Sequence, residues 1–354
     1  MNPKPAITLG MPADNEIYRQ MEAALAFHGF DVHTFIFDSA DFTYPSLSSR
    51  LYVKFRQILF RDKKVKHRLK LKTFYQKAMR QLERINGTDY ALFVRGDLYS
   101  PEFLSAVRAR SRHGTVNYQW DGMHRYPDIW ERIGEFDRFF VFDPADAANP
   151  DYRFLPTTNF YFDHNLPQRQ PENEYDFYFL GSHIPGRDAD IAAFARFAKS
   201  KNWKLDFNIG IGTGNIAEHR AKYPEDNVRL FSRYVGFDEN LAAVRRAKVL
   251  VDFKTPVHNG LSFRTFEALG HSKKLLTTNP EAARYDFYHP DNIFVWDGKS
   301  TDGIEEFFHT PYREPDPAVR EKYSFGNWIR YMLDIPPYQP ISLPPPAAES
   351  AAGR

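Results

Sequence analysis

The 354-residue chain contains no cysteine. This excludes disulfides, thiol nucleophiles and cysteine-ligated metals, and it suits a reducing compartment. No run approaches the roughly 18–20 apolar residues needed to span a bilayer. The opening "MNPKPAITLG" enters a strand-like run without the basic-then-apolar order of a secretory signal. No H-E-x-x-H, Walker or zinc-ligand spacing occurs, so neither a metal nor another cofactor is expected. The expected location is the cytoplasm. A hydrophobic share of 42% and a charged share of 26% are those of a globular protein, and the length favours two domains over one core.

Charge is unevenly spread beneath a net value of +2. Residues 50–84 hold thirteen Lys or Arg against only Asp62 and Glu83, leaving 34 basic and 43 acidic residues elsewhere. Leu51, Phe55, Ile58, Leu59, Leu69, Leu71 and Phe74 are interspersed. That mixture suits an interfacial helix on an anionic membrane surface; a solvated helical face is the plainer reading. Nucleic acid is the less expected partner, because no known module surrounds the segment.

The first half alternates strand and helix: "AITLG", a helix from Glu16 to His28 stopped by Gly29, "DVHTFIF", then "DYALFV", a helix opened by "SPEF", "GTVNYQW" and "FDRFFVF". A Pro- and Asn-rich stretch over 149–174 reads as a linker. A second alternation follows: "YDFYFLG", a helix from about Asp188 to Ser200, "KLDFNIGIG", a helix from about Glu239, "KVLVDF", a helix from near Ser262 to Gly270, and "KKLLTTN". The pattern predicts an α/β chain of two doubly wound parallel-sheet domains, with ligands in a cleft at the carboxyl ends of the strands. The expected bounds are 1–165 and 174–315, a closing helix over 316–335, and a disordered Pro-rich tail over 336–354.

The loop "KTPVHNG" between "KVLVDF" and the Ser262 helix lies at such a strand end. A helix N-terminus offers unpaired N–H groups to an anion, and Gly260 allows close backbone approach. Glu267 could accept from ribose hydroxyls; alternatively it pairs with Arg264 or His271 at helical spacing. The helix would bury Phe263, Phe266 and Leu269 and leave Arg264 and Glu267 off its apolar face. In "FYFLGSHIPGR", Arg187 at a helix start can fork onto a phosphate or pair with Asp190. Trp120 and Asp121 in "YQWDGM", and Asp97 in "VRGDLYS", follow strands of the first half and face the same cleft. Each carboxylate reads either as a general base or as a loop anchor.

Three near-misses are set aside. "GLSFR" lacks the last glycine of a nucleophile elbow. The D-x-D of Asp188 and Asp190 opens a helix instead of ending a strand. "IGIGTGN" has Asn215 in place of the final fingerprint glycine, with no well-formed helix directly behind it.

Together, "VDFKTPVHNGLSFRTFEALGHSKKLLTTN…YDFYHPDNI", "NYQWDGM…FDRFFVFDPAD" and "FYFLGSHIPGR" resemble the bacterial GT-B glycosyltransferases of the lipopolysaccharide core biosynthesis and CgeB-like group. The resemblance spans about residues 85–300 and is most specific over 250–295. It implies two Rossmann-like domains in the GT-B arrangement and metal-independent transfer from a nucleotide-sugar to a glycan or lipid-linked acceptor. It further implies that Glu267 holds the ribose, that Gly260, Leu261 and Ser262 offer N–H groups to the diphosphate, and that Arg187 neutralises it. Lys254 could add positive charge. The family's E-x7-E pattern has Asn259 at its first Glu, with His258 beside it, which leaves open the donor-sugar contact and the stereochemistry. If the reaction inverts, Asp121 is the expected base; if it retains, Asp121 orients the acceptor. A non-catalytic nucleotide- or glycan-binding protein, and a membrane-docking protein acting through residues 50–84, are the alternatives.

Overall fold

A computed structural model describes residues 4–169, 171–212 and 214–346. The chain divides into two compact units, Met1–Phe140 and Val141–Arg354.

In unit 1 the elements run β1 (Ala6–Pro12), α1 (Ile17–Phe27), β2 (Asp31–Phe37), α2 (Leu47–Leu59), α3 (Val65–Leu82), β3 (Tyr90–Val94), α4 (Pro101–Arg108), β4 (Thr115–Gln119) and β5 (Arg138–Val141). β5 runs across the division. Ser100 caps α4 through Phe103 N–H, with Pro101 in its first turn. Unit 2 continues with α5 (Pro144–Ala147), β6 (Leu155–Pro156), β7 (Tyr175–Ser182), α6 (Asp188–Ser200), β8 (Leu205–Gly210), α7 (Ile216–Arg220) and β9 (Val228–Phe231). It then forms α8 (Phe237–Arg246), β10 (Ala247–Asp252), α9 (Phe263–Gly270), β11 (Lys274–Thr277), β12 (Ile293–Val295), α10 (Ile304–His309), α11 (Pro317–Lys322) and α12 (Phe325–Leu333).

One sheet has the order β2-β1-β3-β4-β5-β6 and the other β12-β11-β10-β7-β8-β9. The pairings of β1 with β2 and β3, and of β7 with β8 and β10, are parallel. Parallel strands need crossover helices on both faces, so their side chains are buried on both sides. β7 illustrates this: Phe177 and Phe179 enter one core, and Tyr178 enters the opposite one with Leu250 and Phe266. The second order is that of a dinucleotide fold, whose switch point lies between β7 and β10; in the first sheet the order reverses between β1 and β3.

Residues 157–165 belong to unit 2, although the sequence pattern groups them with the first domain. Asn159 Nδ2 donates to Leu261 O at 2.9 Å, Trp328 Nε1 to Thr158 O at 3.1 Å, and Tyr161 exchanges backbone bonds with Tyr323 and Phe325. The expected closing helix is two, α11 and α12, broken at Tyr323–Ser324; Ser324 caps the second through Asn327 N–H. The Pro-rich tail is ordered as far as it is described. Gln339 N–H donates to Asn327 Oδ1 at 2.6 Å, Ile341 is buried, and Arg284 Nη2 donates to Pro345 O at 2.6 Å. Residues 347–354, also expected to be disordered, lie outside the described residues.

Candidate functional site

In unit 2 the switch point is the place where β7 ends at Ser182 and β10 ends at Asp252. Two arginines converge there near one carboxylate, Asp252, which Arg264 contacts. Arg264, from the first turn of α9, reaches Asp252 Oδ1 at 3.4 Å through Nη1 and donates to Leu180 O through Nη2; its guanidinium lies 4.9 Å from the Phe179 ring centroid. Arg187, from the turn before α6, donates from Nη1 to Phe253 O at 3.2 Å and from Nη2 to Ser182 O at 2.5 Å. It is only 7% exposed. Asp252 Oδ1 also accepts from Ser262 Oγ at 2.8 Å, and Oδ2 from Thr277 Oγ1 at 3.3 Å.

These charges do not balance. Burial pushes the Arg187 guanidinium below its ordinary pKa, the Arg264 cation adds to this, and Asp252 opposes it. Burial also raises the Glu267 carboxyl, weakening it as a second counter-ion. Two largely buried cations therefore face one committed carboxylate. An uncompensated buried charge costs several kcal/mol. The Nε atoms of both arginines are buried without a hydrogen-bond partner among the described residues.

The loop between β10 and α9 is held from three sides. Asn259 N–H donates to Asp143 Oδ2 at 2.8 Å, Lys254 Nζ to Asn259 Oδ1 at 2.7 Å, and Asn279 Nδ2 to Asn259 O and Gly260 O at 3.3 and 3.4 Å. His258 Nδ1 lies 3.1 Å from Gly260 O, and its ring meets Phe142 edge-on at 4.9 Å. A Cβ at Gly260 would stand 2.4 Å from the Phe142 ring and 2.8 Å from Phe142 O. Glycine is thus required by Phe142, whereas the sequence suggested an approaching anion. Leu261 is buried, with its carbonyl bonded to Asn159. Ser262 spends its hydroxyl on Asp252 and makes no side-chain cap bond to α9.

α9 runs Phe263–Gly270, as its apolar spacing suggests, but Glu267 lies inside instead of off the apolar face. It is 4% exposed; Asn240 Nδ2 of α8 donates to its Oε1 at 2.9 Å, and the Tyr178 hydroxyl donates to Asn240 Oδ1 at 3.0 Å. Arg264 turns to Asp252 instead of Glu267, and burial lowers the His271 pKa to about 3. A carboxyl raised by folding stabilises fully below its unfolded pKa of about 4.3, and that contribution disappears as pH rises through the folded value. Glu267→Gln is accordingly expected to match or exceed the parent's stability at pH 8 and to lose this pH dependence. Urea unfolding at pH 5 and pH 8 checks it.

In unit 1 the switch point gathers a second polar cluster. Arg95 follows β3 in the left-handed region (φ 62°), a strained conformation for a long side chain. It grips Asp97 through Nη2 at 2.7 Å and Nε at 3.3 Å, with its guanidinium 3.2 Å from the Tyr126 ring centroid. Asp97 is therefore an anchor for Arg95. Asp121, past the end of β4, accepts from Arg125 Nη1 at 2.7 Å, and Trp120 before it is half-buried. Asp14, beyond β1, went unnoticed in the sequence. Its solvent edge is open, yet crowding raises its carboxyl; Arg95 and Arg125 oppose this, and Asp121 and Asp38 add to it. Asn15 and Glu16 beside it also have positive φ, at 51° and 52°.

Among the described residues no group of three or more His, Asp or Glu could hold a metal ion. Asp188 Oδ1 caps its own turn by accepting from Gly186 N–H at 3.0 Å. Behind "IGIGTGN" a five-residue helix, α7, does open, capped by Asn215 through Ala217 N–H. No helix among the described residues is long and apolar enough to cross a membrane.

No family model matches the chain, and no curated protein matches it. Solved structures do. A Listeria monocytogenes protein assigned as a UDP-N-acetylglucosamine 2-epimerase shares 10% identity at TM-score 0.53, over 96% of this chain and 99% of its own. The Neisseria meningitidis UDP-GlcNAc 2-epimerase, bound to UDP-GlcNAc, shares 9% at 0.53, over 93% and 98%. An alpha-glucosyltransferase in complex with UDP and DNA shares 10% at 0.51, over 87% and 89%. At such identities the likeness is one of fold. With its two six-stranded parallel sheets, the chain is an α/β protein of the GT-B fold, built from two Rossmann-like domains.

Proposed function

We propose that the protein is a glycosyltransferase: unit 2 holds a nucleoside-diphosphate sugar, and the sugar passes to a hydroxyl of a glycan or lipid-linked acceptor. The observation that carries this reading is the excess of buried positive charge at the β7/β10 switch point, where Arg264 pairs with Asp252 and Arg187 is bonded only to backbone carbonyls. In transfer the anomeric C–O bond breaks and its electron pair stays on the diphosphate. The acceptor oxygen forms the new glycosidic bond and gives up its proton to a base. Guanidiniums held in place beside the leaving diphosphate stabilise that developing charge without reorganising. No metal is assigned a part in this step. UDP is the first nucleotide to test, since two of the similar structures carry UDP or UDP-GlcNAc.

On this reading Glu267 reaches the ribose only as a wall of the pocket, through the edge its Asn240 bond leaves free. Lys254, His258 and Asn259 line the approach, and the backbone N–H groups of Gly260, Leu261 and Ser262 lead into α9. Unit 1 supplies the acceptor side. Its base is assigned to Asp14, whose raised carboxyl suits proton abstraction, in place of the Arg125-bound Asp121. Asp14→Asn should lower kcat by about 10²- to 10⁴-fold with nucleotide affinity unchanged. The parent's rate should rise with pH through that raised carboxyl; an equal loss in Asp121→Asn alone would move the assignment. The resemblance of residues 85–300 supports a lipopolysaccharide- or capsule-type acceptor handled on the cytoplasmic side.

Epimerisation at C2 is a second reading, favoured by the two epimerase structures whose likeness covers over nine-tenths of this chain. Incubation with UDP-GlcNAc separates them. UDP release that depends on an added glycan acceptor supports transfer; the C2 epimer formed without acceptor supports epimerisation. Nucleotide binding with neither product leaves a non-catalytic binding protein.

A further inference from the structure

α2 is the least buried long helix of unit 1: of its thirteen residues only Val53 is buried. At 3.6 residues per turn, Leu47, Ile58, Leu51, Phe55, Leu59 and Tyr52 occupy one arc of about 140°, interrupted only by Ser48 in the first turn. All six are exposed, Leu47 by 78% and Ile58 by 79%. A contiguous aliphatic and aromatic face of this size on the surface marks a place where something binds. Arg50 and Lys54 edge the arc on the side towards Val53, and both are exposed. Beyond the helix, Arg61, Lys63, Lys64 and Lys66 continue the positive charge; the nearby Asp62 is taken up by Arg56 and Arg68.

We propose that α2 is an interfacial anchor that lays this arc into the surface of an anionic lipid bilayer. The chemistry selects this occupant. Aliphatic side chains sink into the acyl boundary while flanking Lys and Arg meet acidic headgroups. A second copy of the chain docked face to face would bring two such cationic borders together, which repel. A nucleic acid would engage the cations and leave Leu47, Leu51 and Ile58 in water. This inference concerns unit 1 alone and stands whether or not unit 2 binds a nucleotide sugar.

Sedimentation of the full chain with vesicles tests it, using pure phosphatidylcholine and a mixture containing about one-third phosphatidylglycerol. The bound fraction is expected to be about tenfold higher on the anionic vesicles and to fall with salt. Leu51→Glu with Ile58→Glu should lower it about tenfold, and Arg50→Glu with Lys54→Glu should abolish the anionic preference. Melting temperatures monitor folding; if the double Glu variant melts early, Leu51→Ser with Ile58→Ser takes its place. Three results would overturn the proposal: no binding to either vesicle, equal binding to both, or binding that survives the apolar substitutions. Sedimentation of the free protein as a dimer that these substitutions dissociate would overturn it too, as would an RNA complex formed without vesicle binding.

Discussion

Replacing Arg187 with alanine is expected to weaken nucleoside-diphosphate binding by about 100-fold or more, read by calorimetry with UDP. A truncated charge partner in a buried site costs roughly 2–5 kcal/mol, and 100-fold is about 2.7 kcal/mol of that. Arg187 spends only two of its five N–H groups on the carbonyls of Phe253 and Ser182, which leaves donors for an anion. Lysine should not restore affinity. Its single ammonium cannot hold two carbonyls and an anion in the geometry of a planar fork. If Arg187→Ala bound UDP as tightly as the parent, the arginine would serve only to tie β7 to β10.

Asp252→Ala carries the second large effect, and its sign depends on the ligand. Without ligand, the variant strips Arg264 of its carboxylate, leaves the neighbouring Arg187 cation less compensated, and takes an acceptor from Ser262 and Thr277. Breaking such a buried pair costs about 3–5 kcal/mol. A diphosphate then becomes the only counter-ion, so it should stabilise Asp252→Ala by more than it stabilises the parent. At 100 times Kd a ligand contributes about 2.7 kcal/mol, enough to recover much of the loss. Urea unfolding with and without UDP gives both numbers. Equal ligand stabilisation in the two proteins would mean that Asp252 and the phosphates do not compete for the same cations.

The frame of the fold was legible in the chain because apolar runs and turn residues are local signals. "YDFYFLG", "KVLVDF" and the Asp188–Ser200 helix appear where the periodicity puts them. The α9 helix ends at Gly270 as its spacing suggests. What escaped depends on contacts across the sequence. Glu267 reads as a surface residue because its partner, Asn240, is 27 positions away on another helix. Gly260 reads as a phosphate-loop glycine because Phe142, the ring that demands it, lies before the apparent linker. The same distance hides Asp143 and Asn159, which hold the β10–α9 loop, and groups them with the first domain. Arg264 reads as a neighbour of Glu267 at helical spacing; only the parallel pairing of β7 beside β10 brings it to Arg187. Asp14 carries no motif at all, and its carboxyl is raised by burial at the end of β1, with Asp121 after β4 adding to this and Arg95 after β3 opposing it.

The most direct test is isothermal titration of the unaltered protein with UDP, ADP, GDP, CDP and TDP, each beside its own nucleoside. The proposed donor site at the switch point predicts that at least one diphosphate binds about 100-fold or more tightly than the matching nucleoside, with affinity falling as salt rises. If every diphosphate bound no better than its nucleoside, the buried arginine pair would be balanced within the protein, and the donor site would have to be sought elsewhere.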